Sequence, residues 1–259
     1  MRRFFIEHPK GTEACGSTQV ITGSDARHIK QVLRLKPGDK IGLFDGTGLE
    51  YEAKIVNLFH SQVEVSVVRI SHSATESPVQ IIVAQALLKG RKMDGLVRQL
   101  TELGITGWIP FMAKRSVPSP SQESLLARSE RWKKIAKEAL KQCQRSQIMK
   151  IGATISFEKA LNLENECDLK VVFWENESKS INSTIVQPDR HYRKIYAMLG
   201  PEGGFTEQEI KSARDSGFVI ASLGPRILRA ETATVAACAL LQYLFGDIRQ
   251  KNLDKDMSF

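Results

Sequence analysis

No run of about 18 consecutive apolar residues occurs in this 259-residue chain, so no membrane-spanning helix is expected. The N-terminus "MRRFFIEHPKG" is basic but has no sustained apolar stretch, which argues against a secretory leader. Cysteine is scarce. Its four copies, Cys15, Cys143, Cys167 and Cys238, are scattered without paired spacing. They read as reduced thiols of a cytoplasmic protein, and no metal site is expected. Two nucleotide signatures are missing as well. No G-x-x-x-x-G-K-[ST] is present, which excludes a Walker-type phosphate loop, and the glycine-rich loops carry no G-x-G-x-x-G. There is no internal repeat and no low-complexity tract. What remains is an ordinary globular composition, 42% hydrophobic and 25% charged, long enough for two domains or one large one.

Positive charge is unevenly spread. The net charge is +8, yet residues 1–72 contribute only +2 and residues 151–259 contribute −2. Residues 89–150 hold 14 Lys+Arg against 5 Asp+Glu. Such a block is the electrostatic footprint of a polyanion partner, nucleic acid above all; a solvated basic face is the plainer alternative.

The hydrophobic rhythm changes along the chain. Residues 1–72 read as a small β-rich unit. "QVEVSVVRI" (62–70) alternates as a half-buried strand, "YEAKIVNLF" (51–59) is a second strand, and Asp45-Gly46 with Gly48 marks a hairpin turn. "SDARHIKQVLRLKPGD" (24–39) predicts a short helix, capped by Ser24 or Asp25 and ended by Pro37-Gly38. Small strands with one helix suggest a compact barrel, and polar 73–78 reads as a linker. From 79 to 250, strands alternate with helices. "VQIIVAQAL" (79–87), "GWIPF" (107–111), "LKVVFW" (169–174), "KIYAML" (194–199) and "FVIASL" (218–223) are strand-like. Met93, Leu96, Val97, Leu100 and Leu103 keep helical spacing. Residues 128–145 form an amphipathic helix that places Trp132 in the core and lysines outside. The pattern predicts an α/β domain with a mostly parallel sheet, followed by a short polar tail, 251–259.

Ligands of such sheets bind where strands end. Three ends are unusual: Trp174-Glu175-Asn176, "GPEGGF" (200–205) and "LGPRILRAETAT" (223–234). Two repeat Gly-Pro, so together they would make a pocket lined by main-chain groups, fit for an adenine edge without charged side chains. A branched side chain at Gly203 is expected to invade that pocket.

"GPEGGFTEQEI" and "LGPRILRAETA" closely resemble the C-terminal motifs of the bacterial 16S rRNA uridine-N3 methyltransferases, trefoil-knotted members of the SPOUT superfamily. "RHIKQVLRLKPGDKIGLFDGTG" (27–48) resembles that family's PUA-like RNA-binding barrel. "KGRKMD" (89–94), "TELGITGWIPFMAKRSV" (101–117) and "RWKKIAKEALKQCQR" (131–145) resemble its middle motifs. Gln99, Lys141-Gln142 and Ala230 depart from the family's usual residues.

The resemblance implies a PUA-like β-barrel followed by a SPOUT α/β domain with a C-terminal trefoil knot. It also implies S-adenosyl-L-methionine as cofactor, a homodimer, and a uridine of the 16S rRNA decoding region as target, in free rRNA or the small subunit. Cofactor contacts are expected from Glu175, Leu199, Gly200, Pro201, Glu202, Gly203, Gly204, Leu223, Gly224, Ile227, Leu228, Ala230, Thr232 and Ala233. RNA phosphates are expected at Arg2, Arg3, Arg34, Lys89, Arg91, Lys114, Arg115, Lys133, Lys134, Lys137 and Arg145.

Methylation of N3 requires loss of its proton, so a cation beside a uracil carbonyl would stabilise the developing anion. Arg229 holds the best position for this, and Glu202 or Glu231 could accept the proton or orient helix-start N–H groups. The final helix, 231–245, is apolar almost all round and reads as buried core or as a dimer interface. Two other functions are compatible with these residues. One is ribose 2′-O methylation by the same superfamily; the other is a non-catalytic RNA-binding assembly factor, against which the intact glycine loops argue.

Overall fold

The computed structural model describes residues 2–6, 15–117, 120–163, 166–180 and 192–248. The expected polar tail, 251–259, lies outside the described residues. The chain divides into two compact units, Met1–Glu76 with Leu140–Ile148, and Ser77–Ala139 with Met149–Phe259.

The first unit holds a five-stranded sheet in the order β1-β3-β4-β5-β2. Its strands are β1 (Arg3–Phe5), β2 (Thr18–Thr22), β3 (Lys40–Phe44), β4 (Leu49–Leu58) and β5 (Gln62–His72). β1 and β2 end the pairing path, so the sheet is a half-barrel. The predicted hairpin joins β3 to β4, with Phe44 opposite Glu50 and both turn glycines at positive φ. Val63, Val65 and Val67 point into one core with Ile41, Leu43 and Ile55, as the alternation requires.

The predicted helix over 24–39 is corrected. α1 spans Gly23–Arg27 and continues as a π-helical turn, His28–Val32, where the chain leaves the helix. Arg34 takes the left-handed conformation at φ 53, and the Leu33 and Leu35 N–H groups donate to the His28 and Ile29 carbonyls. That closes the helix before Pro37-Gly38 is reached. Neither Ser24 nor Asp25 caps it. β2 runs straight to Thr22, the flanking residue, and no side chain caps the turn. The Asp25 carboxylate instead receives Lys141 Nζ at 3.2 Å.

Leu140–Ile148 joins the first unit through a clamp that no sequence signal announced. Glu76 accepts Nε and a terminal N–H of Arg145 at 3.0 and 2.9 Å, and the Ser146 and Gln147 N–H groups at 2.7 and 2.8 Å. The expectation that Arg145 meets RNA phosphate is corrected here: its side chain is only 3% exposed and is tied to Glu76. A guanidinium buried that deeply needs its partner, because an uncompensated buried charge costs about 3–5 kcal/mol. The expected linker therefore contains an anchored residue.

The second unit carries a seven-stranded sheet, every pairing of which is parallel: β12-β10-β11-β6-β7-β8, with β9 also on β7. The strands are β6 (Gln80–Ala86), β7 (Gly107–Met112), β8 (Lys150–Ile151), β9 (Ile155–Ser156), β10 (Leu169–Phe173), β11 (Lys194–Leu199) and β12 (Val219–Ala221). The central ones are continuous apolar runs because both faces are covered. α2 (Lys92–Glu102), α3 (Gln122–Cys143) and α6 (Ala230–Phe245) contribute to one apolar layer; α4 (Phe157–Asn162) and α5 (Glu207–Asp215) contribute to the other. α3 begins six residues before the predicted start. Trp132 is core as expected. Its ring meets Trp108 edge-on at 4.9 Å, and its N–H donates to Asp94.

Candidate active site

β12, β10 and β11 are parallel neighbours, so their carboxyl ends open on one edge. The loops that follow them converge there on a cavity of about 400 Å³, within the usual range of ligand sites. Phe173, Trp174 and Glu175 come from the end of β10. Leu199 ends β11, and Gly200, Pro201, Glu202 and Gly204 follow it. Ser222, Leu223, Gly224, Arg226, Ile227, Leu228 and Arg229 follow β12, and Ala230 and Ala233 open α6. Lys92, the first residue of α2, completes the lining. The two Gly-Pro turns are brought together as the strand pattern predicted.

Glycine is required at Gly204. Its φ is +66, and a Cβ there would run into the Glu175 carboxylate. Gly203 is different, and the expectation that a side chain there enters the cavity is corrected. Its Cβ direction leads to the Arg115 side chain, 3.2 Å away, and not into the lining. Arg115 in turn donates to the Gly203 carbonyl at 3.0 Å. Thr232 is exposed on the first turn of α6 and also stays out of the lining. Arg229 is exposed, flanks the start of α6 and lines the cavity.

Lys92 and Arg226 are lining cations that sequence reasoning missed. Lys92 Nζ lies 3.0 Å from Glu202 Oε1 and 3.2 Å from Glu231 Oε2. Its pKa is raised, first by the hydrogen bond to Glu202 and also by Glu231. Burial works to raise the Glu202 pKa. The Lys92 ammonium and the N–H groups of Glu202 and Lys89 outweigh it, and the net shift is downward. Glu202 is thus ionised at neutral pH. The pair stabilises the fold above the ordinary carboxylate range and loses that contribution as pH falls through the lowered value. Glu231 does not reach the cavity lining; an acid in the first turn of α6 suits the helix dipole.

Behind the cavity, the buried amide of Gln85 donates to the carbonyls of Gly200 and Ala86 and accepts from the Thr234 hydroxyl. One side chain on β6 therefore braces both the first Gly-Pro turn and α6. On the far side of the glycine loop, Glu209 closes a capping box with Thr206 and accepts the Lys114 N–H.

Two family models match the chain: an RNA methyltransferase domain over residues 75–242 and an RNA methyltransferase PUA domain over 21–68. The ribosomal RNA small subunit methyltransferase E of Bacillus subtilis is 34% identical over 247 residues, covering 94% of this chain and 96% of that one. The chain belongs to the ribosomal RNA small subunit methyltransferase E family. The Synechocystis member is 32% identical, covering 88% of this chain and 74% of that one. The crystal structure of the Neisseria gonorrhoeae member, bound to S-adenosyl methionine, superposes with a TM-score of 0.83 at 31% identity, over 96% of this chain and 99% of that one. A Legionella pneumophila methyltransferase structure with bound SAM gives 0.81 at 30% identity, over 95% and 98%.

The exposed candidates for RNA contact fall in both units: Arg2 and Arg34 in the first, and Lys89, Arg91, Lys114, Arg115, Lys133 and Lys134 in the second. Lys137 is half-buried, and Arg3 is ion-paired to Glu50 at 3.0 Å.

Proposed function

We propose that this chain uses S-adenosyl-L-methionine to methylate N3 of a uridine in the decoding region of 16S rRNA, as a cytoplasmic homodimer acting during small-subunit maturation. The observation that carries the reading is the convergence of both Gly-Pro turns on one cavity whose rim holds Lys92, Arg226 and Arg229. The cavity fits the cofactor by its chemistry. Phe173, Leu199, Leu223 and Leu228 offer apolar walls, the turns offer main-chain donors and acceptors, and the Glu175 carboxylate suits a hydroxyl or amino group. When bound, the cofactor supplies an electrophilic methyl group. We further propose that the polypeptide around these loops forms the trefoil knot the motifs imply.

The residues of this chain then have to orient uracil and stabilise the charge left as N3 loses its proton. A cation aimed at O2 or O4 does this, and it acts more strongly where water is excluded. Arg229 takes that role. Lys92, fixed by two carboxylates, is the second cation. Glu202 is a poor proton acceptor, because its three donors favour the ionised form. Its part is to hold Lys92 and, through the Lys89 N–H, the loop that leads into α2. The proton passes to water.

Lys92→Met is expected to lower kcat by about 10²-fold, the usual cost of removing one such stabiliser. Affinity for S-adenosylhomocysteine should change by less than about threefold, since the cation acts on the uracil. Steady-state kinetics with calorimetry checks both, and an unaltered kcat would remove Lys92 from the mechanism.

Nucleoside mass spectrometry of 16S rRNA from cells with and without the gene tests the reaction itself. Loss of 3-methyluridine at one decoding-region position is expected. Loss of a 2′-O-methylated nucleoside instead would transfer the chain to that chemistry, and an unchanged profile would make it a non-catalytic assembly factor.

A further inference from the structure

A second concavity, about 540 Å³, opens beside the start of α2. Gly90 and Arg91 of the loop before α2 form one wall; Ser124, Ala127, Arg128 and Arg131 of α3 form the other. The four α3 residues are spaced i, i+3, i+4 and i+7, so they share one helical face. This face is not the one that carries Lys133 and Lys137, which lie roughly opposite at 100° per residue.

Three guanidinium groups border this groove, and their partners are few. Arg131 donates to Asp94 Oδ1 at 2.8 Å, and the same oxygen accepts the Trp132 N–H at 3.0 Å. That oxygen is anchored by a core tryptophan, so the Arg131 fork is held in a set orientation. The guanidinium groups of Arg91 and Arg128 have no hydrogen-bond or ion-pair partner among the described residues. With Asp94 the one carboxylate paired to these three guanidinium groups among the described residues, the like charges repel one another, and an anion relieves that repulsion. Guanidinium forks match phosphate geometry through paired N–H donors.

The position of the groove identifies the anion. The loop before α2 faces two ways. The Lys89 N–H and Lys92 Nζ both bind Glu202 at the methyl-transfer cavity, while Gly90 and Arg91, between them, line the groove. Consecutive Cα atoms are about 3.8 Å apart, so the two sites adjoin across a single loop. A nucleotide whose base enters the cavity has phosphodiesters on both sides of it. We infer that the groove of Arg91, Arg128 and Arg131 grips the RNA phosphodiesters flanking the target nucleotide, and so sets which nucleotide of a single strand reaches the cavity. The inference rests on the rRNA methyltransferase reading.

The double variant Arg91→Gln/Arg128→Gln tests it, because neither side chain has a partner whose loss would disturb the fold. The probe is small subunits purified from cells lacking the gene, measured by filter binding across a salt series. Two lost phosphate contacts should make the log–log salt slope shallower by about 1.4, at roughly 0.7 per contact on single strands. KM for subunits should rise by at least tenfold, with kcat and S-adenosylhomocysteine affinity within about twofold. Lys211→Gln, an exposed charge change on α5, should leave the slope as it is. An unchanged slope in the double variant, or an equal change in Lys211→Gln, overturns the groove alone. Competition by millimolar inorganic phosphate that is lost in the variant, while subunit binding is kept, makes it an ion site and also overturns the inference. A wild type that neither binds nor methylates subunits overturns the rRNA reading, and the groove with it.

Discussion

Gly204→Val should cut S-adenosylhomocysteine affinity by about 100-fold or more in calorimetric titration. Two effects add. Residue 204 sits at φ +66, a conformation that costs an L-residue with a Cβ about 1–2 kcal/mol and costs a β-branched one more. The new Cβ would also collide with the Glu175 carboxylate, which would have to swing out of its place in the cavity wall. Since 1.4 kcal/mol is about tenfold in affinity, the two together reach the stated loss. Gly204→Ala, which already carries the strained backbone and the colliding Cβ, should lose affinity in the same direction, and Gly203→Ala is its matched control. Its backbone is not left-handed, and its Cβ would press on the Arg115 side chain at the outer surface of the loop, so affinity should fall by less than about threefold. A thermal melt separates lost binding from lost folding, and equal effects at the two glycines would refute this account of the loop.

Leu240→Glu should convert the proposed dimer to a monomer and take methyl transfer with it. α6 buries Thr234, Ala237, Cys238 and Leu241 against the core of its own unit. The opposite stripe, Ala233, Ala236, Leu240 and Tyr243, is left half-covered or open, with Leu240 37% and Tyr243 48% exposed. Small residues at one end of that stripe permit close approach of a second copy of the helix, and a two-fold axis would set the patch on itself. Because Leu240 is partly exposed, the monomer should tolerate glutamate. An interface would not: an unpaired buried carboxylate costs about 3–5 kcal/mol, and a two-fold dimer would bury two of them, so its dissociation constant should rise by roughly 10⁴-fold or more. Ala233 belongs both to this stripe and to the cavity wall, so cofactor affinity should fall together with dimerisation. Light scattering that finds a wild-type monomer with full methyl-transfer activity would sever that coupling.

Much of this architecture was legible in the sequence because it is written in local signals. Continuous apolar runs marked the buried parallel strands, alternation marked β5, and repeated Gly-Pro marked the strand ends that meet at the cavity. What escaped was non-local. Glu76 and Arg145 are 69 positions apart, and no periodicity links them, so Arg145 read as one more surface cation. Lys92 lies in one of the resembling motifs, yet its position at the cavity is fixed by ion pairs to Glu202 and Glu231, more than 100 residues later. Gly203 and Gly204 are indistinguishable as letters; only the sign of φ and the direction of the absent Cβ separate them. α1 ended early for a related reason. Arg34 adopts a left-handed backbone that its side chain does not advertise, and Pro37-Gly38 drew attention to a boundary already passed.

The order of the strands has a consequence for synthesis. β6 pairs with β11, so Ile81 waits for Ile195, and β10 waits for β12, which begins at Val219. The walls of the cavity are contributed by Lys92, by residues 173–175, by five residues between 199 and 204, and last by residues between 222 and 233. A nascent chain therefore holds the residues of the first sheet (β1 to β5) long before it holds those of the cavity. Pairings so distant in sequence are slow to close, because the loop entropy is spent before the contact is gained. The site is complete only once residue 233 of 259 has left the ribosome, so a chain broken off earlier can carry the basic block but lacks a wall of the cavity.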